Sequence, residues 1–271
     1  MLVMGRTIGI IAIKGGVGKT TVAASLAADL VNHYGKKVLL VDANYSAPNL
    51  GLHMDIVSLN KTIHDVLDMK AHLKSSIQNK FGVDVVPGSY VCNKKLNYLK
   101  LKNKLSGVKD KYDFIIIDSS PSFNDEMLSV MVASDSLFVV TTPDYPTLSC
   151  SLKAAKIAKG RGTPINGIIV NKIRDPSHEL DLKEIEESVG IPVVAKIPDD
   201  ETNIRALFTR IPTSIYNRNC KFGKEINRLG AALTGNKERR NIFRMMLPKE
   251  FRKEEVNRQI LRESFYKSMF K

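Results

Sequence analysis

Two lysines bracket a run of glycines near the start of the chain: Lys14-Gly15-Gly16-Val17-Gly18-Lys19-Thr20-Thr21. Such a run does phosphate chemistry when it joins a strand to a helix. The glycines let the backbone turn tightly, successive N–H groups point inward, and the helix N-terminus adds its positive end. The flanks supply that context, with apolar residues 8–13 leading in and the helix-forming residues 22–30 leading out. In this setting Lys19 reaches the outer phosphates, the Thr20 hydroxyl is offered to magnesium, and Thr21 hydrogen-bonds a further phosphate. Two carboxylates complete a metal site on paper. Asp42 ends the apolar run 37–41 and Asp118 ends the run 114–117. Magnesium keeps several waters and takes few protein carboxylates, which suits Thr20 as direct ligand with Asp42 and Asp118 holding metal-bound waters.

These residues need a scaffold that brings strand ends together. Apolar runs at 37–42, 83–88, 114–118, 136–141, 167–171 and 193–198 alternate with amphipathic stretches at 61–69, 95–109, 125–133, 147–159, 181–189 and 219–233. Continuous apolar strands alternating with helices predict an α/β fold: a doubly wound, mostly parallel sheet with helices on both faces. Ligands of such sheets sit at the carboxyl ends of the strands. Asp42, Asp118, Asn171 and Pro198 all fall at those ends, on the edge that carries the glycine-rich turn.

The turn departs from the general phosphate-loop pattern. Ile13 stands where a glycine is usual, five positions before Gly18, and Lys14 is added inside the turn. Residues 14–20 resemble the "deviant" loop of the MinD/ParA group of ATPases, and the order and spacing of motifs follow that group over about residues 6–234. The resemblance implies a P-loop NTPase fold that takes ATP and Mg2+. It implies an ATP-dependent homodimer in which Lys14 reaches across a nucleotide sandwich to the partner's phosphates. It also implies that Gly15, Gly16, Val17, Gly18, Lys19, Thr20 and Thr21 cradle the nucleotide, and that Thr20, Asp42 and Asp118 serve the metal. Asn171 would read the adenine amino group, and the loop Ile197-Pro198-Asp199-Asp200 would close over the base with Pro198 as the contact. The second switch would run from Asp118-Ser119-Ser120-Pro121 toward Asn124, although both serines equally suit plain turns.

One position strays from the family. After the second strand the group has Asp-x-Asp, whereas this chain reads Asp42-Ala43-Asn44 before a matching Pro48-Asn49-Leu50-Gly51-Leu52. The Asn44 amide oxygen can hold a water, but it carries no charge and cannot act as a base. Phosphoryl transfer rests mostly on positioning and charge stabilisation. The expectation is therefore slow or partner-stimulated hydrolysis with ATP binding intact, carried by Lys14, Lys19, Asp42 and Asn44. A non-hydrolysing ATP sensor is the alternative.

The net charge of +13 over 271 residues favours anionic partners. Residues 236–271 hold eleven Lys/Arg against five Asp/Glu, nearly half of that excess. The expected division is residues 1–235 as the ATPase domain and 236–271 as a basic amphipathic helical tail. In the tail Ile260-Leu261, Ser264-Phe265 and Ser268-Met269 recur every four residues beside Tyr266 and Phe270. Arg258, Arg262, Lys267 and Lys271 lie around the other side, and a second apolar patch spans 242–247 before Pro248. This is the pattern of an interfacial helix, predicting reversible attachment to an anionic membrane through 242–271. Packing of the tail on the body or on a partner protein fits the same pattern. An activating protein partner is a further expectation. Lysines at 94, 95, 100, 102, 104, 109 and 111 offer a runner-up, non-specific DNA binding of the ParA kind, although Leu96, Leu99, Leu105 and Val108 make that stretch an ordinary amphipathic helix. Cys92, Cys150 and Cys220 are isolated, which argues against an iron–sulfur cluster. No apolar stretch reaches transmembrane length. With the first strand beginning near residue 6, the expected location is cytoplasmic, and peripheral to the membrane in the ATP state.

Overall fold

A computed structural model describes residues 5–92, 96–175, 177–236 and 253–269. Eight strands form one sheet in the order β3-β4-β2-β5-β1-β6-β7-β8. They are β1 (Arg6–Ile11), β2 (Val38–Ala43), β3 (Gln78–Lys80), β4 (Val83–Val86), β5 (Phe114–Ser119), β6 (Ser136–Thr141), β7 (Ile165–Ile173) and β8 (Val193–Pro198). All pairings are parallel except β3 with β4. The central strands are apolar because both sheet faces are covered, and every residue of β2, β5 and β6 is buried.

The helices are α1 (Lys19–Tyr34), α2 (Leu50–His53), α3 (Ile63–Leu67), α4 (Leu101–Ser106), α5 (Asp125–Ala133), α6 (Tyr145–Gly160), α7 (Leu182–Val189), α8 (Thr202–Phe208), α9 (Thr213–Tyr216), α10 (Lys221–Thr234) and α11 (Lys253–Met269). On one face Ile8, Ile10 and Leu40 pack with Leu26 and Leu30 of α1 and with Phe222, Ile226 and Leu229 of α10. On the other, Ile115, Ile117 and Val139 pack with α3, α4, α5 and α6. Each predicted strand is present. The pattern missed β3, a short and mostly polar edge strand, and the short helices α2, α8 and α9. The helix expected over 95–109 shrinks to α4 after a 3-10 turn at Tyr98–Lys100. There Leu101 takes the core position expected of Leu99, which is 54% exposed.

Among the described residues the tail departs from the expected arrangement most clearly at Arg258. The pattern sets Arg258 on a solvated basic side, but the structure buries it to 2% exposure. Its guanidinium donates to the Val194 carbonyl at 3.2 Å and lies 3.6 Å from Glu225. Asn257 Nδ2 donates to Glu186 (2.5 Å) and to the Val193 carbonyl (2.9 Å), and Leu261 is buried beside them. A charged head goes inside only when paired, and α10 and β8 supply the partners. Val256 and Ile260 stay exposed. The patch at 242–247, Pro248, Phe270 and Lys271 lie outside the described residues, as do Lys94 and Lys95.

Candidate functional site

The glycine-rich turn links β1 to α1 at the carboxyl edge of the sheet. Gly18 is the residue before α1 and sits at φ +90°, and Gly16 at φ +79°, a region that L side chains rarely enter. Gly18 has a second constraint: a Cβ there would lie 2.4 Å from Asn171 Nδ2. Val17, Lys19 and Thr20 are buried, and Gly15, Gly16 and Lys14 lie outward.

Asp42 and Asp118 are register partners on β2 and β5. Burial and then the neighbouring Asp118 push the Asp42 carboxyl up to about 8. Burial also raises Asp118, opposed by Lys19 and by Thr20. Thr20 Oγ1 lies 2.6 Å from Asp118 Oδ2 and 3.2 Å from Asn49 Oδ1. Asp118 Oδ1 is buried and has no hydrogen-bond partner among the described residues. Two buried carboxylates that repel each other, one with an orphaned oxygen, beside a hydroxyl and a lysine, are a donor set that fits a hard divalent cation. Thr20, Asp42 and Asp118 would hold it, and when bound it would neutralise charge on phosphate oxygens. This chain's own residues orient the rest: Lys19 beside Asp118 presents a cation, and the turn presents backbone N–H groups.

The loop after β2 is tied down at several points. Asp42 accepts the Asn44 N–H (3.1 Å) and the Leu50 N–H (3.0 Å). Asn44 Nδ2 donates to the Ala47 carbonyl at 2.6 Å, while its buried Oδ1 has no hydrogen-bond partner among the described residues. Ser46 bonds Glu126 of α5. Tyr45 stacks on Tyr98 at 4.7 Å, and its carbonyl accepts from His64 Nε2 at 2.9 Å. His64 Nδ1 accepts the Ser89 N–H (3.0 Å), which fixes the neutral tautomer. Ser120 donates to Asn124, which caps α5 through the Met127 N–H.

The remaining expected residues stand at the same edge with other partners. Lys14 Nζ lies 3.0 Å from Thr147 Oγ1 and 3.4 Å from Asp144, within its own chain. Asp144 is the N-cap of α6, and its carboxyl is held low because hydrogen bonds from Thr142 and Thr147 outweigh the upward push of burial. Asn171 Nδ2 donates to the Val17 carbonyl at 2.8 Å, so it braces the glycine-rich turn; the following Lys172 has φ +59°. Pro198 ends β8. Asp199 pairs with Arg174 at 2.7 Å and donates its N–H to the Ile173 carbonyl. Thr21 lines a small cavity with His53, Asn203 and Leu207. Sequence reasoning missed Asn49, Glu126 and the Asp144/Thr147 pair. The last carried a signal, since Asp-x-x-Thr with Pro146 between is a helix-start spacing.

Residues 5–154 match the AAA domain family. A curated ATP-binding protein of Methanocaldococcus jannaschii is 34% identical over 227 residues, covering 83% of this chain and 86% of the relative. The cell division ATPase MinD of Pyrococcus furiosus superposes with a TM-score of 0.80 at 31% identity, covering 84% of this chain and 97% of that one. The chain belongs to the MinD/ParA family of ATPases. A second member, septum site-determining protein MinD of Pyrococcus horikoshii, was solved with Mg-ADP. It superposes with a TM-score of 0.80 at 30% identity, over 84% of this chain and 95% of its own. The P-loop fold of that family accounts for the strand order around β1.

Proposed function

We propose that this chain is a MinD-like ATP-driven switch that binds Mg-ATP at the turn 14–21 and dimerises with ATP. It hydrolyses slowly or on stimulation by a protein partner, and attaches reversibly to anionic membrane to position cell-division or polar cargo. The observation that carries the reading is the paired carboxylates Asp42 and Asp118 set against Thr20 and Lys19, at the mouth of a turn that bears both lysines. In the dimer Lys14 leaves Asp144 and Thr147 for the partner's phosphates. That contact is exposed and cheap to break. The Mg-ADP bound to the P. horikoshii protein supports the choice of ligand. Asn171 leaves the Val17 carbonyl to read adenine, and Pro198 and Asp199 close over the base. Slow turnover follows from Asn44, whose amide carries no charge and cannot act as a base, with its Nδ2 tied to the Ala47 carbonyl.

Attachment rests on the tail. Residues 257, 258 and 261 are used in docking, so among the described residues the lipid-facing surface falls to exposed Val256 and Ile260. One weak anchor per subunit binds marginally, and two in a dimer bind usefully. Among the described residues no helix is long and apolar enough to cross a membrane. The ParA-like reading, non-specific DNA binding through the lysine stretch, is the alternative; of those lysines Lys109 pairs with Asp135 at 2.6 Å.

Sedimentation onto anionic liposomes and onto DNA, each with ATP and with ADP, tests the proposal, together with phosphate release in both settings. Pelleting with liposomes in ATP only, lost in Ile260→Glu, is the expected result. Equal pelleting with ATP and ADP, or pelleting with DNA alone, refutes membrane attachment.

A further inference from the structure

One side chain fastens the loop after β8 in two directions. Asp200 Oδ1 accepts the Thr202 N–H at 2.9 Å, at the start of α8. Its Oδ2 accepts the Phe222 N–H at 3.2 Å, in the first turn of α10 and 22 positions away. Burial pushes this carboxyl up, and hydrogen bonds from Thr202, Phe222 and Cys220 outweigh it and hold the group below its ordinary value. Asp200 is therefore ionised near neutral pH, and its bonds to two helix starts are charge-assisted. The neighbouring Asp199–Arg174 pair is exposed and a weaker tie. α10 is in turn packed along α1: Phe222, Ile226 and Leu229 meet Leu26 and Leu30. Asn227 Nδ2 donates to Asp29 at 3.1 Å, and the Tyr34 hydroxyl donates to the Asn227 carbonyl at 2.7 Å. α1 begins at Lys19, where the glycine-rich turn ends.

We propose that Asp200 is a positioning residue that sets the reach between the glycine-rich turn and the loop 197–200. It does so by fastening that loop to α10 and, through α10, to α1. This rests on the reading above, in which the turn grips phosphates while Pro198 and Asp199 close over the base. A nucleotide must touch both places at once. The turn holds phosphates wherever the loop stands, but the base gains contacts only if the loop already waits at the matching distance. A loop fixed in advance is not ordered at the ligand's expense. Loss of Asp200 therefore removes the contribution of the base and leaves the grip on the phosphates.

Calorimetric titration of the full chain with Mg-ADP and with Mg-pyrophosphate separates the two places. ADP carries the base and, in the proposed cycle, does not drive dimerisation; pyrophosphate carries no base. Asp200→Ala should weaken ADP by about tenfold, the lower end for a lost charge-assisted hydrogen bond, and leave pyrophosphate within about twofold of wild type. Asp200→Asn keeps one acceptor and should weaken ADP by about threefold, again sparing pyrophosphate. It carries the same comparison if the alanine variant does not fold. Unchanged ADP affinity in the folded variants, or ADP and pyrophosphate weakened alike, overturns the positioning role while leaving the nucleotide site standing. Wild type that binds pyrophosphate as tightly as ADP overturns the base-loop reading itself, and the role of Asp200 with it.

Discussion

Asn44→Asp restores the charge that the family places in its first switch, and the structure sets what that restoration costs. Asn44 is 6% exposed and its Nδ2 donates to the Ala47 carbonyl at 2.6 Å. An aspartate loses that donor, about 1 kcal/mol net. It also adds an anion beside Asp42, whose carboxyl already stands near 8 because of burial and Asp118. An uncompensated charge at a buried site adds about 1–3 kcal/mol. The nucleotide-free variant should therefore lose roughly 2–4 kcal/mol; at about 2–4 °C per kcal/mol for a domain of this size, its Tm should fall by roughly 5–15 °C. With Mg-ATP bound the cation offsets the added charge, and a carboxylate can now hold and deprotonate the water. General-base assistance is worth about 10²–10⁴ in rate, so turnover should rise at least tenfold, or about 1.4 kcal/mol of barrier. Thermal unfolding without nucleotide and phosphate release with saturating Mg-ATP, on wild type and variant, give both numbers. If Tm drops while phosphate release stays at the wild-type rate, the missing charge is not what limits hydrolysis.

Other expectations follow from single contacts. Burial holds the His53 imidazole at about 4, below its unfolded value near 6.5. The unfolded chain thus binds the extra proton, and the stability is intact above about pH 6.5 and lost as pH falls toward 4. His53→Leu should flatten Tm against pH across that window, and an unaltered slope contradicts the assignment. Gly18→Ala places a Cβ 2.4 Å from Asn171 Nδ2 at φ +90° and should cost about 1–3 kcal/mol. Denaturant unfolding should show Asn171→Ala recovering the part of that loss due to the clash but not the part due to φ. Lys14→Ala removes an exposed pair and should change monomer stability by less than about 1 kcal/mol, while light scattering with ATP should show the dimer lost. Arg258→Ala leaves Glu225 with Arg228 and should loosen α11 by about 2 kcal/mol, short of the 3–5 of a fully broken buried pair. Hydrogen exchange should accelerate over 255–263 and not in β1.

The strands were legible because their apolar runs are continuous, and the glycine-rich turn between β1 and α1 because its glycine and lysine spacing sits between an apolar run and a helix-forming one. Asp42 and Asp118 were legible as strand ends. Partners chosen in three dimensions were hidden. Asn171 bracing Val17, 154 positions away, has no local trace, and neither has Asn49 against Thr20. The inversion of Arg258 has the same origin. Periodicity within the tail sets arginine on a polar side, but Glu225 and two carbonyls of β8 are what make the inside acceptable. α8 escaped because its Ile204, Leu207 and Phe208 face outward, leaving no apolar stripe turned toward the core.

The seat of α11 bears on how the gene can be shortened. β8 is the last strand in the sheet, and its first carbonyls are engaged by Asn257 and Arg258. A protein cut after Gly235 would bare that border, along with Glu186 and Leu261's apolar seat, and a naked strand border recruits other chains. Its sedimentation would then report self-adhesion as readily as loss of a lipid anchor, which makes a single outward-facing change at Ile260 the cleaner instrument.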